Sequence, residues 1–292
     1  NLTVNILTYK TNREILNNCI DSISNEVAIN IIENSKKFEN EEYIKNKKKN
    51  INIICTGSNL GYAAGHNFGI SKVTTRYVLI LNPDLICMNS YFDHVKNYLN
   101  DQVDFHIIGS QYEKNKMNKT AYGLFEKKRI NPPLSIDKLN LQSVDWVVGC
   151  SMLIDLKKFS NKKLFDENFF LFYEETDFCR SVKLNNGLVF SSKDLIIDHY
   201  GEKGSFAIEI SNKYSYLKLR NWHLMWSSFY YYKKNYGYFH AFKLLIGSLI
   251  KSFFKLIFFA ILFNKYNFTK HFFRFSGLLN SMIGKKSWFR IN

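Results

Sequence analysis

The sequence is short of the patterns that mark secreted, disulfide-stapled proteins. It contains five cysteines, an odd number, and no Cys-x-x-Cys pair, and most of them stand among apolar residues. This usage predicts reduced thiols in a core rather than a disulfide framework. No basic-then-apolar leader precedes the first strand-like run, so the sequence predicts a cytoplasmic location.

Two common nucleotide-binding signatures are missing as well. The small-residue stretch 57–69 has neither the dinucleotide-binding fingerprint nor the Walker loop spacing. The formal charge of +15 and the pI near 9.4 indicate anionic partners such as nucleotide phosphates, nucleic acid or an acidic membrane surface. That charge is not concentrated in a recognised nucleic-acid-binding motif, so we expect no nucleic acid partner.

What the sequence does contain is an alternation of strand-like and helix-like segments. Hydrophobic residues make up 46% and aromatic residues 16% of the chain, which excludes a disordered protein. Apolar strands are predicted at Leu2 to Thr8, Val27 to Ile32 and Ile51 to Cys55, with a helix at Glu14 to Ile23. This order predicts an α/β fold with a mostly parallel central sheet flanked by helices.

The segment from Tyr77 to Asp84 is the centre of the predicted sheet. Its apolar run Val78 to Leu81 has no polar alternation, as expected for a strand covered on both faces. Pro83 cannot donate to a sheet ladder and ends the strand, which leaves Asp84 at its carboxyl end. Ligands of open α/β sheets bind at that edge, and a carboxylate there could hold a divalent metal for a phosphorylated substrate.

Three further segments are candidates for ligand contacts. Small residues in 57–69 could let the backbone approach a ligand, with the start of a helix facing a phosphate. Val144 to Ile154 is predicted as a strand, with Gly149 at a point of close approach. His199 precedes a glycine-containing basic turn and is a candidate metal or phosphate contact.

An acidic cluster follows an aromatic run near the middle of the chain. Glu174, Glu175 and Asp177 open a helix that is predicted to reach about Asn185. Acidic residues at a helix start complement the helix dipole, so capping is the alternative interpretation. Carboxylates behind four aromatic residues are costly without a further role, which favours a functional site.

The order of these motifs carries a resemblance. The segments, in order, are Thr8-Tyr9, Glu33-Asn34-Ser35, Asn59 to Asn67, Asn82-Pro83-Asp84, Val144 to Cys150, Phe169 to Arg180 and His199. Together they resemble the family 2 glycosyltransferases with the GT-A fold, and most of all the bacterial rhamnosyltransferase branch that builds surface polysaccharide. The resemblance covers roughly residues 1–205.

The resemblance implies four groups of site residues. Asp84 would be a metal ligand in an Asp-x-Asp-type motif, and Glu175 would be the catalytic base. The ion would be Mg2+ or Mn2+. The implied residues are Thr8, Tyr9, Glu33, Asn59, Gly61, Asn67, Asn82 and Asp84 for the nucleotide sugar, Asp84 and His199 for the metal, Glu175, Glu174 and Asp177 for catalysis, and Trp146 and Gly149 for the sugar and acceptor.

This sequence departs from the family pattern at three positions. Lys10 stands where the family usually has Asn after Thr-Tyr. Glu33 replaces the usual Asp, which makes the group that contacts the base one methylene longer. Glu175 also replaces an Asp and would shift the catalytic carboxylate by about one bond length.

The C-terminal part differs in composition, being aromatic and basic from Tyr214 onward. Leu244 to Phe263 is long enough to span a bilayer, but Lys251 and Lys255 would each cost roughly 2.5–3.5 kcal/mol at its centre. These lysines share a polar stripe, which favours a helix in the membrane plane over a span. Packing on the catalytic domain or on a second subunit is the alternative. Basic groups expected at anionic headgroups are Lys265, Lys270, His271, Arg274, Lys285, Lys286 and Arg290.

The sequence therefore predicts a catalytic domain at 1–205 and a helical, membrane-associating region at 206–292. The predicted reaction is an inverting, metal-dependent transfer of a sugar, with rhamnose as a candidate. The donor would be dTDP- or UDP-linked, and the acceptor a hydroxyl of a glycan or a polyprenyl-linked carrier. The predicted location is the inner face of the cytoplasmic membrane, and a homo-oligomer is left open. Lys203, Ser205 and Arg220 are candidate diphosphate contacts.

Two other functions were weighed against this one. A sugar-phosphate nucleotidyltransferase would have a basic, glycine-rich signature after the first strand, and Tyr9 to Arg13 contains no glycine. A basic nucleic-acid-binding protein would account for the charge, but the acidic cluster at Glu174 to Asp177 argues against it.

Overall fold

The computed structural model describes residues 1–39, 41–88, 90–113, 122–123, 135–136, 139–199 and 213–291, with the backbone alone for 122–123, 135–136, 199 and 213. The helices are α1 (Arg13–Asp21), α2 (Glu41–Lys47), α3 (Tyr62–Ser71), α4 (Tyr91–Asn100), α5 (Glu174–Leu184), α6 (Lys213–Tyr236), α7 (Tyr238–Ile261) and α8 (Lys265–Met282). The strands are β1 (Leu2–Thr8), β2 (Ala28–Glu33), β3 (Ile51–Cys55), β4 (Tyr77–Leu81), β5 (Leu85–Cys87), β6 (Ile107–Tyr112), β7 (Tyr122–Gly123), β8 (Ser135–Ile136), β9 (Leu141–Ser143), β10 (Trp146–Val147), β11 (Ser151–Asp155) and β12 (Val189–His199).

The chain divides into two compact units. The first consists of Asn1–Leu60, Ala64–Asp166 and Glu175–Ala207, and the second of Gly61–Ala63, Glu167–Glu174 and Ile208–Asn292. The predicted domain boundary between 205 and 206 lies outside the described residues and stays a prediction.

A mixed sheet forms the centre of the first unit. Its strand order is β3-β2-β1-β4-β11-β6-β12-β9-β8, and β5 pairs with β12. The half formed by β3, β2, β1 and β4 is parallel, as the β-α-β order predicted. Strand β11 is antiparallel to both of its neighbours, β4 and β6. The α/β class with helices around a central sheet is confirmed, and β4 and β6 run in the same direction.

Strand β4 is buried along its whole length, as its unbroken apolar run predicted. All five residues, from Tyr77 to Leu81, are buried. Leu16, Cys19 and Ile20 of α1 belong to the same hydrophobic cluster as its Leu79 and Leu81. Each fully buried side chain of this size contributes roughly 1.5–3 kcal/mol, so the strand is held firmly where it ends at Leu81.

Two predicted strand assignments are wrong. Val144 to Ile154 is not one strand, because β9 ends before it, β10 pairs with β7 in a separate sheet, and β11 begins at Ser151. A methyl group added at Gly109 of β6 would collide with Val147, so the chain crosses the sheet closely there. Conversely, the apolar residues of Leu188 to Ser191 and of Leu195 to Asp198 predict two short strands, but the structure has one strand, β12. Its pairing with β6 shifts register between Ser191 and Ile196.

In the second unit the helices α6, α7 and α8 pack against one another. Their shared core contains Met225, Phe229, Ala241, Leu245, Leu278 and Met282. Helix α7 begins at Tyr238, six residues before the predicted apolar segment. By length and composition it could cross a membrane, with a mean hydropathy of 2.0 over a window that is only 11% buried.

Replacing Gly69 by Ala is expected to lower the free energy of unfolding by about 1–3 kcal/mol. The added methyl carbon would lie 2.5 Å from Asn5 Oδ1 and 2.7 Å from Ile32 Cγ1, where α3 rests on the sheet. Chemical denaturation measures the change. Gly247→Ala, also in a helix, is the control: no described heavy atom lies within 4 Å of its added methyl. It should stabilise α7 by up to about 1 kcal/mol, and equal effects of the two changes would contradict this packing.

Candidate active site

The carboxyl ends of β1 and β2 bring together two predicted nucleotide contacts. Thr8 and Glu33 are register partners, and both are buried. Thr8 Oγ1 donates a hydrogen bond of 2.6 Å to Glu33 Oε2, which fixes the orientation of that carboxylate. Tyr9, the next residue, is half-exposed. This pair is therefore ordered before any nucleotide binds.

Asn34 shapes the loop after β3, and the sequence analysis did not single it out. Its Oδ1 accepts from the backbone N–H of Leu60 at 2.9 Å and from Thr56 Oγ1 at 3.1 Å, and its Nδ2 donates to Asn59 Oδ1 at 3.1 Å. An amide that serves two donors and one acceptor holds the predicted nucleotide loop at the end of β2. The available signal was its place in the segment Glu33-Asn34-Ser35.

The glycines of this loop serve packing within their own units. Gly61 has φ of 84°, and a Cβ there would lie 2.5 Å from the backbone oxygen of Phe170. That same oxygen accepts from Tyr62 N–H at 2.7 Å. At Gly65 an added Cβ would meet Leu7 at 2.7 Å, so this residue lets α3 approach the sheet rather than a ligand.

Asn67 has a structural use in the first unit. Its Oδ1 accepts from the backbone N–H groups of Leu164 and Phe165, both at 3.0 Å, and its Nδ2 donates to Phe165 O at 2.8 Å. These bonds tie α3 to the segment before α5. Asn59, Gly61 and Asn67 stay predicted nucleotide contacts.

Asp84 lies in a tight turn directly after β4. Leu85 N–H donates to Asn82 O at 3.3 Å, which places Pro83 and Asp84 at the two central positions of the turn. Asn82 N–H in turn donates to Cys150 O at 2.8 Å. The Asp84 side chain is buried, with 4% of its surface exposed. Packing thus holds the predicted metal ligand at the edge where ligands of such sheets bind.

The pairing of β5 with β12 brings the backbone of His199 to the same place. His199 is the register partner of Leu85, the residue that follows Asp84. The side chain of His199 lies outside the described atoms. Among the side chains that are described, no group of three or more His, Cys, Asp or Glu could hold a metal ion. A carboxylate with one imidazole beside it is nevertheless a donor set that suits Mg2+ or Mn2+.

Glu175, the predicted base, has a partly desolvated carboxylate. Its Oε2 is buried and has no hydrogen-bond partner among the described residues. Burial raises the pKa of Glu175, while the backbone N–H groups of Glu175 and Thr176 lower it by less. The Glu175 carboxylate thus also caps the start of α5, which agrees in part with the capping interpretation.

Asp84 and Glu175 act on the same pair of groups, Tyr112 and Cys150. Burial is the main cause that raises the pKa of Cys150 to about 12, and the charges of Asp84 and Glu175 raise it further. Burial, Cys150 and the same two carboxylates raise the pKa of Tyr112, whose Oη lies 3.6 Å from Cys150 Sγ. The two acids therefore lie at one edge of the sheet, where β4 and β6 end.

The remaining predicted residues differ in their burial. Asp177, on the first turn of α5, is buried, and so is Gly149, which precedes Cys150. Trp146 is half-exposed in β10. In the second unit, Glu174 is buried and follows Phe172 and Tyr173, whose φ values of 69° and 70° are left-handed. Such backbone strain costs about 1–3 kcal/mol per residue and concentrates at functional sites.

Three predicted diphosphate contacts are placed only in part. Arg220 lies on α6 and is half-buried. Lys203 and Ser205 lie outside the described residues.

The order of this sheet, with Asp84 in the turn after β4, agrees with the GT-A fold of nucleotide-sugar transferases. The chain belongs to glycosyl transferase family 2, whose family model matches residues 3–184. The predicted family and fold are confirmed. Rhamnosyl specificity, the metal and the individual site residues stay predictions.

Known proteins similar to this chain agree with the family. The low-salt glycan biosynthesis hexosyltransferase Agl10 of Haloferax volcanii is 28% identical over 195 residues, which cover 63% of this chain and 62% of that protein. The crystal structure of GalNAc-T7 with UDP, GalNAc and Mn2+ is similar over 80% of this chain and 50% of its own, with a TM-score of 0.55 and 11% identity.

A second solved structure covers nearly the whole chain. It is the mannosyltransferase PcManGT from Pyrobaculum calidifontis in complex with GDP-Man and Mn2+. The similarity has a TM-score of 0.54 at 9% identity and covers 98% of this chain and 88% of that one. At this identity the likeness establishes the fold.

Replacing Lys10 by Asn is expected to raise the free energy of unfolding by about 1 kcal/mol. Lys10 has φ of 50°, a left-handed conformation that Asn adopts more readily than Lys. Its Nζ also lies 5.5 Å from the centre of the Tyr9 ring, a contact that any substitution removes. Lys10→Ala loses the same contact without gaining tolerance for this φ. Chemical denaturation should therefore rank Asn above Ala, and equal stabilities would refute the backbone explanation.

Proposed function

We propose that this chain is an inverting, metal-dependent glycosyltransferase that moves a sugar from a nucleotide diphosphate to a hydroxyl of a glycan or lipid-linked acceptor. The observation that supports it best is the pair of acids, Asp84 and Glu175, whose charges act on the same Tyr112 and Cys150. Their edge of the sheet is where GT-A-type enzymes would bind a donor. Membership of glycosyl transferase family 2 favours this function over both alternatives weighed above.

The reaction exchanges one bond and moves one proton. As the acceptor oxygen bonds to the anomeric carbon, its proton passes to Glu175, and the electron pair of the broken bond leaves with the nucleotide diphosphate. A single base on the face opposite the leaving group gives inversion. Burial brings the pKa of Glu175 closer to neutral pH, where a general base is most effective.

Asp84 and His199 are the residues that would hold a divalent ion. A hard carboxylate oxygen and one imidazole leave coordination positions for phosphate oxygens of the donor. When bound, the ion supplies Lewis-acid stabilisation of the departing diphosphate. Support comes from the buried Asp84 turn and from the pairing of His199 with Leu85.

The nucleotide would bind beside Thr8, Tyr9 and Glu33. A fixed Glu33 carboxylate can accept hydrogen bonds from the base or the ribose hydroxyls. The similar structures contain UDP or GDP-mannose with Mn2+, and the resemblance favours a dTDP-linked rhamnose donor. We propose a hexose or deoxyhexose donor, and the relative in glycan biosynthesis supports a glycan product.

We further propose a peripheral location on the inner face of the cytoplasmic membrane. Helix α7 exposes large apolar side chains, among them Phe239, Phe254, Phe258 and Ile261, with exposed fractions of 86%, 64%, 56% and 70%. Lys251 and Lys255 interrupt this surface and favour a helix in the membrane plane. A lipid-linked acceptor would be reached from that position.

A panel of donor nucleotides tests the proposal. Thermal unfolding is measured with dTDP, UDP and GDP, each with and without Mn2+, and with single-stranded DNA as the competing ligand. Stabilisation by one nucleotide diphosphate that requires the metal is the expected result. Stabilisation by DNA alone would overturn the enzyme function.

Two substitutions separate donor binding from transfer. Asp84→Ala is expected to abolish both metal-dependent nucleotide binding and turnover. Glu175→Gln should keep donor binding and lower turnover by about 10²–10⁴-fold, because it removes the base alone. Asp104→Ala controls for the loss of one carboxylate, since Asp104 is exposed and precedes β6 at the opposite edge of the sheet. Unchanged turnover of Glu175→Gln would move the base to Glu174 or Asp177.

The rate of transfer should depend on the ionisation of Glu175. The base must be deprotonated, so kcat/KM falls as the pH drops through its pKa. Because burial raises that pKa, the acid limb should lie above the ordinary glutamate value of about 4.3. A pH profile of kcat/KM measures it. The limb should vanish from the residual activity of Glu175→Gln, and a limb that persists there would belong to another group.

A further inference from the structure

The positive charge of this protein lies almost entirely in its C-terminal part. From Lys213 to Asn292 the sequence contains fourteen Lys or Arg residues and no Asp or Glu. Residues 1–212 contain 26 basic against 25 acidic residues and are nearly neutral. The basic groups of the last three helices therefore have no acidic partner within that segment, and anions from outside the chain are the natural counter-charges.

Four of these basic residues come together with His271 on α7 and α8. Lys251 and Lys255 lie one turn apart on α7, and Lys270, His271 and Arg274 lie on α8. All four cations lower the pKa of His271, after the larger effect of burial, to about 4. They therefore lie close to one imidazole. We call these residues the α7–α8 basic cluster.

Two members of the cluster lack partners in the described part of the chain. His271 is 92% buried, its ring stacks on Phe259 at 5.7 Å, and its Nδ1 has no hydrogen-bond partner among the described residues. Arg274 is half-buried, and desolvation lowers its pKa. A buried imidazole nitrogen is costly without a hydrogen-bond partner, and a desolvated guanidinium is costly unless an anion compensates it.

An exposed apolar surface lies directly beside the cluster. Phe254 and Phe258 follow Lys251 and Lys255 by three residues, so each phenyl ring is one helical turn from a lysine. Both rings are exposed, by 64% and 56%. The combination offers cations to a phosphate and an apolar surface to the chain attached to it.

We propose that the α7–α8 basic cluster is a binding site for the phosphate group of an anionic lipid, whose acyl or prenyl chain lies along Phe254 and Phe258. This inference rests on the proposed membrane association and makes it specific to one site. The phosphate is bound by Lys251, Lys255, Lys270 and Arg274, and it relieves the mutual repulsion of the cations around His271. The lipid thereby fixes how the second unit lies on the membrane.

Vesicle binding with charge-matched variants tests this site. The probes are phosphatidylcholine vesicles with and without phosphatidylglycerol, and the full chain is sedimented with each. Lys251→Gln/Lys255→Gln removes two charges inside the cluster, and Lys285→Gln/Lys286→Gln removes two exposed charges outside it. Unspecific attraction would cost both variants about the same, roughly fivefold for each lysine. We expect the first variant to lose at least about tenfold more affinity for the anionic vesicles than the second.

Three results would overturn the proposal. Equal losses in the two variants would mean a diffuse electrostatic surface, and no loss in either would mean apolar binding alone. Displacement of the protein by inorganic phosphate at concentrations equal to the lipid would mean a site for free phosphate. As a local readout, NMR titration of the histidine rings should show the pKa of His271 rising on anionic vesicles. Donor nucleotide binding by the unaltered chain, measured separately, tests the proposed function independently of this site.

Discussion

The desolvation of two carboxylates at the end of one buried strand is the constraint on which the candidate site depends. Strand β4 is covered on both faces, so the turn that follows it cannot relax into solvent, and Asp84 is buried with it. Glu175 is held nearby at the start of α5, with one oxygen out of reach of water. A buried carboxylate oxygen without a hydrogen-bond partner among the described residues, such as Glu175 Oε2, is stable only if a counter-charge or a proton compensates it. A cation, an acceptor proton, or both in sequence, meet that requirement.

The parallel half of the sheet and its edge could be predicted from the sequence, because unbroken apolar runs report burial on both faces. The turn at Asn82-Pro83-Asp84 could also be predicted, because proline cannot donate a hydrogen bond to a sheet and so ends the strand. The prediction of one strand at Val144 to Ile154 was wrong because this segment packs over Gly109 of the sheet. Its residues are as apolar there as those of a buried strand, so composition does not separate the two cases. Asn34 was missed because an amide that organises a loop through three hydrogen bonds leaves no periodic pattern.

The two units divide the chemical tasks by charge. Residues 1–212 are nearly neutral, and two of their acids, Asp84 and Glu175, are the proposed metal ligand and base. In the second unit, the helices carry basic groups without any acid between Lys213 and Asn292. The separation agrees with the proposed metal site in the first unit and the proposed lipid-phosphate site in the second. It also explains why an overall charge of +15 predicted anionic partners but not where they bind.

The irregularity in β12 has a consequence for the position of His199. Between Ser191 and Ile196 the pairing with β6 shifts, and only after that shift does the strand bring His199 opposite Leu85. A strand advances about 3.3 Å per residue and turns successive side chains to opposite faces. Gaining or losing one residue inside the bulge would thus pair a neighbour of His199 with Leu85 and move the backbone of His199 a full step along the sheet. The bulge thereby sets which residue of β12 lies opposite Leu85, next to the proposed metal ligand Asp84.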